Sequence, residues 1–355
     1  MNFSCSSCHK TYTIADNKLP STKKLDFPCP ECGYRIELDP CGNASGEAAI
    51  AETGGVGAAP ASAPADDRQT AEELKKRILS RLSGLPPMPR IVFEAHEIME
   101  DPNSGAKEVA ELIETDQAIA AKVMKMANSA YYGMSGKVSS IQHAAVVLGE
   151  KAMGELITLA GTSSLLGNKL YGYAMDSGEL WRHSMMVAFG SKLMAQRRMS
   201  QRENDAFSVG LIHDVGKLVL DRPVLSRKSL FDEFMAAGDE TFLSAENRIF
   251  GFDHAEIGCD ICRLWQIPDT LTKAIRYHHR PNVAADDDLV SIVSMADTIA
   301  NMAAATKMVG RIQSGIDAVM HMVDDTVMER LALGEKDLGV IMEAALDAVE
   351  KIQLD

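Results

Sequence analysis

One aspartate constrains this chain more than any other residue. Asp297 shares a helical face with Val290, Val293 and Ala300, and a carboxylate on such a face is almost never buried unless it is paired or bound to a metal. The fold therefore has to bring partners to Asp297 from elsewhere. The candidates are His183, the pair His213-Asp214, His254 and the pair His278-His279, which hold five of the nine histidines in the sequence. Borderline nitrogen ligands and a bridging carboxylate, delivered by several helices of one bundle, suit a metal site.

The local signals place each of them at or near a helix end. Asp176 to Glu179 reads as a capping box that starts a helix, with His183 one turn inside it near Trp181. His213-Asp214 closes the apolar run Val209 to Ile212 and is followed by Gly216-Lys217. Asp253 and Glu256 form a second capping pattern with His254 at the first helical position, and His278-His279 ends a helix stopped by Pro281. Any single histidine among these is more simply a satisfied polar side chain of a core. The complete set favours metal binding.

Composition separates the chain into parts. Residues 1–40 hold four of the seven cysteines, and residues 41–70 are dominated by Ala, Gly, Pro, Ser and acidic side chains, too poor in large apolar groups to pack. That stretch reads as a flexible linker. From about Ala71 apolar residues recur at helical spacing, as in Val109, Leu112, Ile113, Ile119, Ala120, Val123, Met124 and Ala127. The expected fold is all-α, a helical domain over 71–305 with C-terminal helices over 306–355 packed on it. The net charge of -14 repels phosphate backbones and anionic membranes, which disfavours nucleic acid as a partner. No cationic leader with an apolar stretch follows Met1, and no window approaches a membrane span. The expectation is a cytoplasmic protein without a membrane partner.

Cys5-x-x-Cys8 and Cys29-x-x-Cys32 can each present two thiolates to one tetrahedral Zn²⁺. A segment this small and apolar-poor needs such a staple to fold. His9 and Cys41 read as bystanders. Residues 1–40 resemble the small bacterial zinc ribbons of the MJ type, and with five basic and five acidic residues they lack the positive footprint of a DNA reader. Cys259-x-x-Cys262 is a lone pair, a weak redox signal.

The succession LPPMP from Leu85, DPNSGAKEVAELIETDQAIAAKVMKMANSAYYG from Asp101, and SSIQHAAVVLG from Ser139 closely resembles the HDOD family, bacterial signalling-output domains related in fold to HD-type phosphohydrolases. The resemblance runs from about Ser80 to about Ala303. It implies an HD-like helical bundle that acts through signalling proteins as partners. On the residues alone, Asn128 and Ser129 can cap and turn a helix, and His143 reads as an interhelical histidine.

The likeness to HD-type phosphohydrolases carries over residue by residue. By that resemblance His183, His213, Asp214 and Asp297 hold a first metal, with Asp214 placed to bridge. His254, His278 and His279 complete a second site, as in the two-metal HD-GYP phosphodiesterases of cyclic di-GMP. The implied ions are iron or manganese, one or two of them, and Lys217 matches the lysine of the HDxGK motif beside Asp214 as a candidate catalytic pair. One departure counts heavily: Arg280-Pro281-Asn282-Val283-Ala284 lacks the glycine-tyrosine-proline signature. The HDOD family is also regarded as having given up hydrolysis, so the expectation leans away from an enzyme. The alternative is a metal-dependent phosphohydrolase or phosphodiesterase acting on a nucleotide or cyclic dinucleotide.

The ribbon expectation has a direct check. The purified full chain should carry one tightly held zinc ion that is lost in a Cys29→Ser, Cys32→Ser variant, as read by elemental analysis. Equal zinc content in the two proteins would rule the cysteine site out.

Overall fold

The computed structural model describes residues 2–4, 11–13, 25–28, 35–38, 65–80, 90–101, 104–133, 137–236, 241–309 and 324–352. Two compact units are separated at Asp67. The N-terminal unit contains two antiparallel pairs. Strand β1 (Asn2–Ser4) pairs with β2 (Thr11–Thr13), Asn2 opposite Thr13, and β3 (Leu25–Pro28) pairs with β4 (Arg35–Leu38), Leu25 opposite Leu38. The ribbon cysteines Cys5, Cys8, Cys29 and Cys32 lie outside the described residues.

Among its described residues the second unit is built of helices joined by turns, apart from one isolated bridge between Leu170 and Met175. Helix α1 (Ala65–Ser80) starts inside the stretch read as linker. Lys75 on it, largely buried, reaches Glu256 at 2.6 Å and Asp260 at 2.7 Å, which ties α1 to α11 (His254–Leu264). Helices α2 (Arg90–Glu100), α3 (Ala106–Glu114) and α4 (Gln117–Ala127) pack on α5 (Ile141–Leu166), whose first turns are set off from the rest at Gly149. Gly149 has φ 79°, a left-handed conformation that a side chain at this point would strain.

Around this lobe the remaining helices build the larger core. These are α6 (Glu179–Arg198), α7 (Glu203–Ile212), α8 (Gly216–Leu225), α9 (Lys228–Ala236), α10 (Phe242–Phe250), α11, α12 (Asp269–Tyr277), α13 (Asp288–Val309), α14 (Asp325–Leu331) and α15 (Glu335–Lys351). Helices α6 and α13 carry apolar side chains around most of their circumference and sit at the middle, in mutual contact, as such helices must. Helix α15 packs on α6 and α13. Among the described residues no helix is long and apolar enough to cross a membrane.

Polar ties join the two lobes. Glu155 of α5 is buried, pairs with Lys192 of α6, and accepts a hydrogen bond from the Tyr132 hydroxyl at 2.9 Å. Asn128 does cap its helix: its amide donates to the Met124 and Val138 carbonyls, each at 3.0 Å, and accepts from the Val138 N–H at 2.8 Å. His143 is exposed rather than interhelical, and its backbone N–H is capped by Ser140 Oγ. Cys259 and Cys262 are buried free thiols whose burial raises both pKa values, which removes the reactivity a redox pair needs.

Two glycines set how closely helices approach. A Cβ on Gly210 would lie 2.9 Å from Ser191 Oγ and 2.9 Å from the Val187 carbonyl oxygen, so bare backbone lets α7 press against α6. A Cβ on Gly216 would lie 1.9 Å from the His254 carbonyl oxygen, where no side chain fits, so α8 and α11 touch backbone to backbone. That contact brings His254 up to Asp214. Replacing Gly216 by Ala should force the two helices apart and cost about 3 kcal/mol or more. A urea midpoint unchanged from wild type would show that the packing yields more easily than this geometry allows.

Candidate metal centre

The histidines and aspartates singled out in the sequence meet at one point, and the helix ends explain how. Helix α6 starts at Glu179 after Gly178, not at Asp176. Half of the expected capping box survives, the Asp176 N–H donating to Glu179 Oε2 at 2.8 Å. His183 projects from the next turn. His213 is the C-cap of α7, Asp214 sits in the turn that follows, and Lys217 lies in the first turn of α8. Asp253 caps α11 by accepting from the Glu256 N–H, which puts His254 at the first helical position. His278 is the C-cap of α12, with His279 next to it, and Asp297 stands in the middle of α13.

The side chains close on one another. His183 Nε2 lies 3.1 Å from Asp297 Oδ1 and 3.6 Å from Asp214 Oδ2. His213 Nε2 lies 3.3 Å from Asp214 Oδ2 and 3.8 Å from Asp297 Oδ1. On the other side His254 Nε2 is 3.2 Å and His278 Nε2 4.0 Å from Asp214 Oδ1, while His279 Nδ1 is 3.7 Å from Asp297 Oδ2. Asp214 thus turns one oxygen to His183 and His213 and the other to His254 and His278, the placement of a bridging carboxylate. His254 and His279 bring their Nε2 atoms to 2.9 Å, about the spacing of adjacent ligands with metal–nitrogen bonds of about 2.1 Å on an octahedral ion. Lys217 Nζ donates to Asp214 Oδ2 at 2.5 Å.

Two hydrogen bonds fix which nitrogens are free. His213 Nδ1 bonds the Gly210 carbonyl at 2.8 Å and His278 Nδ1 the Ile275 carbonyl at 2.7 Å. These are last-turn carbonyls that have no partner within the helix. A carbonyl only accepts, so each Nδ1 carries the proton and each Nε2 keeps a lone pair. The Nε2 atoms of His183, His213 and His278 and Oδ1 of Asp214 are buried without a hydrogen-bond partner. Buried lone pairs gathered within 4.8 Å of one another in each ligand group are costly unless a cation stands among them. Three overlapping ligand groups result: Asp214 with His254, His278 and His279; His183 with His213 and Asp214; and His213 with His278 and Asp297. The residues fit a bound metal.

The electrostatics say the same in terms of protons. Burial opposes charge on His254, but Glu246 and Asp214 outweigh it and push its pKa up to about 9. Burial likewise opposes charge on His213, and Asp214 overrides it, raising the pKa. His278 is pushed down to about 3 by burial and by the charge on His213, and His279 well below its ordinary value by burial and by His278. Burial works against ionised Asp214 and Asp297, yet His213 and Lys217 hold the first, and the His183 hydrogen bond the second, below the usual carboxylate range. Without a metal, protons take the cation's place.

One buried carboxylate was missed in the sequence. Glu246 on α10 is fully buried and bonds His254 Nδ1 at 2.7 Å. The signal was present: Phe242, Leu243, Ile249 and Phe250 lie three and four residues to either side, an apolar helical face around a carboxylate like that around Asp297.

The described helical body thus gathers five histidines and two aspartates, from helix ends and helix interiors, into one cluster. A family model described as the HDOD domain matches residues 85–281, and the chain belongs to the HDOD domain family. An HDOD domain protein of unknown function from Geobacter sulfurreducens superposes with a TM-score of 0.64 at 24% identity, covering 81% of this chain and 100% of that one. A candidate signal transduction protein from Marinobacter aquaeolei VT8 superposes with a TM-score of 0.59 at 20% identity, over 81% of this chain and 64% of that one. A candidate phosphohydrolase from Shewanella amazonensis SB2B gives 0.57 at 20% identity, over 78% and 98%. At these identities the likeness shows the fold. An uncharacterized protein of Treponema pallidum (strain Nichols) is 23% identical over 228 residues, 63% of this chain, and the chain spans 44% of the length of that curated relative.

The cluster predicts an unusual pH response. His254 has its pKa raised from 6.5 to about 9 in the folded state, so the stability it adds is fully present below pH 6.5 and lost as pH rises towards 9. His213 acts in the same direction. Chelator-treated protein should therefore lose stability over that range, whereas saturating Mn²⁺ should reverse the slope because the ligand imidazoles bind unprotonated. Urea midpoints measured across the range check both signs. A chelated protein that grows steadily more stable towards pH 9 would contradict the proton assignment.

Proposed function

We propose that this chain is a bacterial, cytoplasmic signal-transduction output protein that works by protein-protein interaction and holds one or two divalent ions, iron or manganese, in its helical body. The observation that carries the metal reading is the set of buried, unpartnered Nε2 and Oδ1 atoms that face one another across the cluster. His183, His213, Asp214 and Asp297 would hold a first ion and His254, His278 and His279 a second, with Asp214 between them. The proposed organisation is a zinc ribbon over residues 1–40 on Cys5, Cys8, Cys29 and Cys32, a connection over 41–70, the HDOD bundle over 71–305 and closing helices over 306–355.

The walls of the site support an adaptor over a hydrolase. A cavity of about 550 Å³ opens on His254, His278, His279 and Asp297. Lys217 is the sole lysine or arginine among its described lining residues, and it is engaged by Asp214. A divalent ion would lower the pKa of a coordinated water and hold a phosphoryl oxygen. Turnover also needs protein groups that bind the rest of a polyanionic substrate. After His279 the chain forms a short 3-10 turn, Pro281–Ala284, with Pro281 and Ala284 buried, and this segment lacks the glycine-tyrosine-proline signature. The second reading, a metal-dependent phosphohydrolase with Asp214 and Lys217 as the catalytic pair, draws its support from the way Asp214 faces both histidine sets.

Metal analysis and a turnover assay separate the two. The full chain should bind Mn²⁺, and Asp214→Ala should weaken that binding by roughly 100-fold, since it deletes the shared ligand and leaves the facing imidazoles unpaired. Cyclic di-GMP should remain uncleaved by the metal-loaded protein. Rapid turnover that disappears in His213→Ala would replace the adaptor with the enzyme.

A further inference from the structure

We propose that Glu246 and Tyr173 are positioning residues of the metal centre, holding His254 in the one tautomer that can ligate; the inference rests on the metal reading above. His213 and His278 each end a helix, where last-turn carbonyls stand free to take an Nδ1 proton. His254 begins a helix, and a helix N-terminus offers only N–H donors. No backbone carbonyl there can orient the ring. A carboxylate has to do it.

Glu246 does so with a single oxygen. Its Oε2 accepts from the His254 ring at Nδ1, 2.7 Å, and from the His254 backbone N–H, 2.9 Å. A carboxylate that already accepts the backbone N–H would repel an unprotonated Nδ1, so the proton belongs on Nδ1 and the lone pair on Nε2. That Nε2 lies 3.2 Å from Asp214 Oδ1 and 2.9 Å from His279 Nε2, inside the cluster.

The carboxylate is itself held from the far side. Tyr173 donates its hydroxyl to Oε1 of Glu246 at 2.5 Å. Tyr173 comes from the connection between α5 and α6, which the Leu170–Met175 bridge closes and which is pinned to α8 by the Gly172 N–H on Asp221 Oδ1 at 2.6 Å. A Cβ on Gly172 would lie 2.3 Å from the Asp221 carbonyl oxygen, so the connection is pressed onto α8. Three separate elements thus fix one imidazole.

The test uses the full chain and Mn²⁺, whose preference for oxygen and imidazole ligands keeps it off the cysteine-rich N-terminus, with free Mn²⁺ read by electron paramagnetic resonance. Glu246→Gln keeps an acceptor for both His254 donors and turns its amide to the Tyr173 oxygen. Glu246→Leu keeps the volume and removes the acceptor. If Glu246 positions His254, the Leu variant should bind Mn²⁺ about 10- to 100-fold more weakly than wild type while the Gln variant stays within about threefold. A residue that only packed would show the opposite order, the apolar variant binding as well as wild type or better. Tyr173→Phe deletes one hydroxyl and carries the test if the Leu variant does not fold: a loss of about threefold or more is expected, and wild-type affinity overturns the role. Equal affinity in every variant overturns the positioning role and leaves the metal centre standing. Absence of Mn²⁺ binding by wild type overturns the metal centre and this inference with it.

Discussion

Two aspartates buried beside one histidine are the constraint on which the rest of this body depends. Asp297 and Asp214 approach His183 Nε2 to 3.1 and 3.6 Å, so the two anions are less than about 7 Å apart. At that separation their repulsion is about 2 kcal/mol or more at an effective dielectric of about 20, before the cost of desolvating either. Lys217 offsets part of it through Asp214. The remainder falls on the imidazoles, which must take up protons or share a cation. Every helix that supplies a side chain to this cluster is held in place by that requirement as well as by its apolar face.

The packing and the cluster are therefore one problem. Gly216 lets α8 meet α11 backbone to backbone, and Gly210 lets α7 press on α6; a side chain at either position would push apart helices that carry ligands. The helix ends do the fine placement. His213 and His278 borrow the free carbonyls of their own last turns, whereas His254, at a helix start, depends on Glu246 from another helix. A histidine at a helix end is oriented by whatever orphan groups that end exposes, and the two kinds of end expose opposite ones.

The same chemistry explains what could be read before the structure. Asp297 was legible because a carboxylate interrupts an apolar face at helical spacing, and His183, His213, Asp214, His254, His278 and His279 followed as the partners it needs. The all-helical body followed from the spacing of apolar residues alone. Glu246 obeys the rule that exposes Asp297, but its short helix also carries Ser244, Asn247 and Arg248, so its carboxylate does not stand out as the lone polar group of an apolar stretch. Tyr173 could not have been found that way, since it lies in an irregular connection where no periodicity announces burial. The start of α6 was displaced from Asp176 to Gly178 because the Asp176–Glu179 pair closes a turn ahead of the helix: Glu179 Oε2 accepts the Asp176 N–H and the Glu179 N–H donates back to the Asp176 carbonyl, with Glu179 itself the first helical residue. His143 was misplaced for a related reason. One polar side chain in a helical pattern does not reveal which side of the helix meets its neighbour.

Stability alone is a poor account of why such a cluster exists. Replacing a buried ionic network with apolar side chains of similar volume is often neutral or stabilising, by about 1 to 4 kcal/mol. Eight ionisable side chains, Lys217 included, at the meeting point of α6, α7, α8, α11, α12 and α13 are an expensive way to join helices. Their arrangement makes sense if the centre exchanges protons for a metal, because the two states differ in net charge where six helix segments converge. A change of that kind is felt by the whole set of packed helices at once. It requires no substrate and no turnover, only a surface somewhere on the bundle that a partner reads differently in the two states.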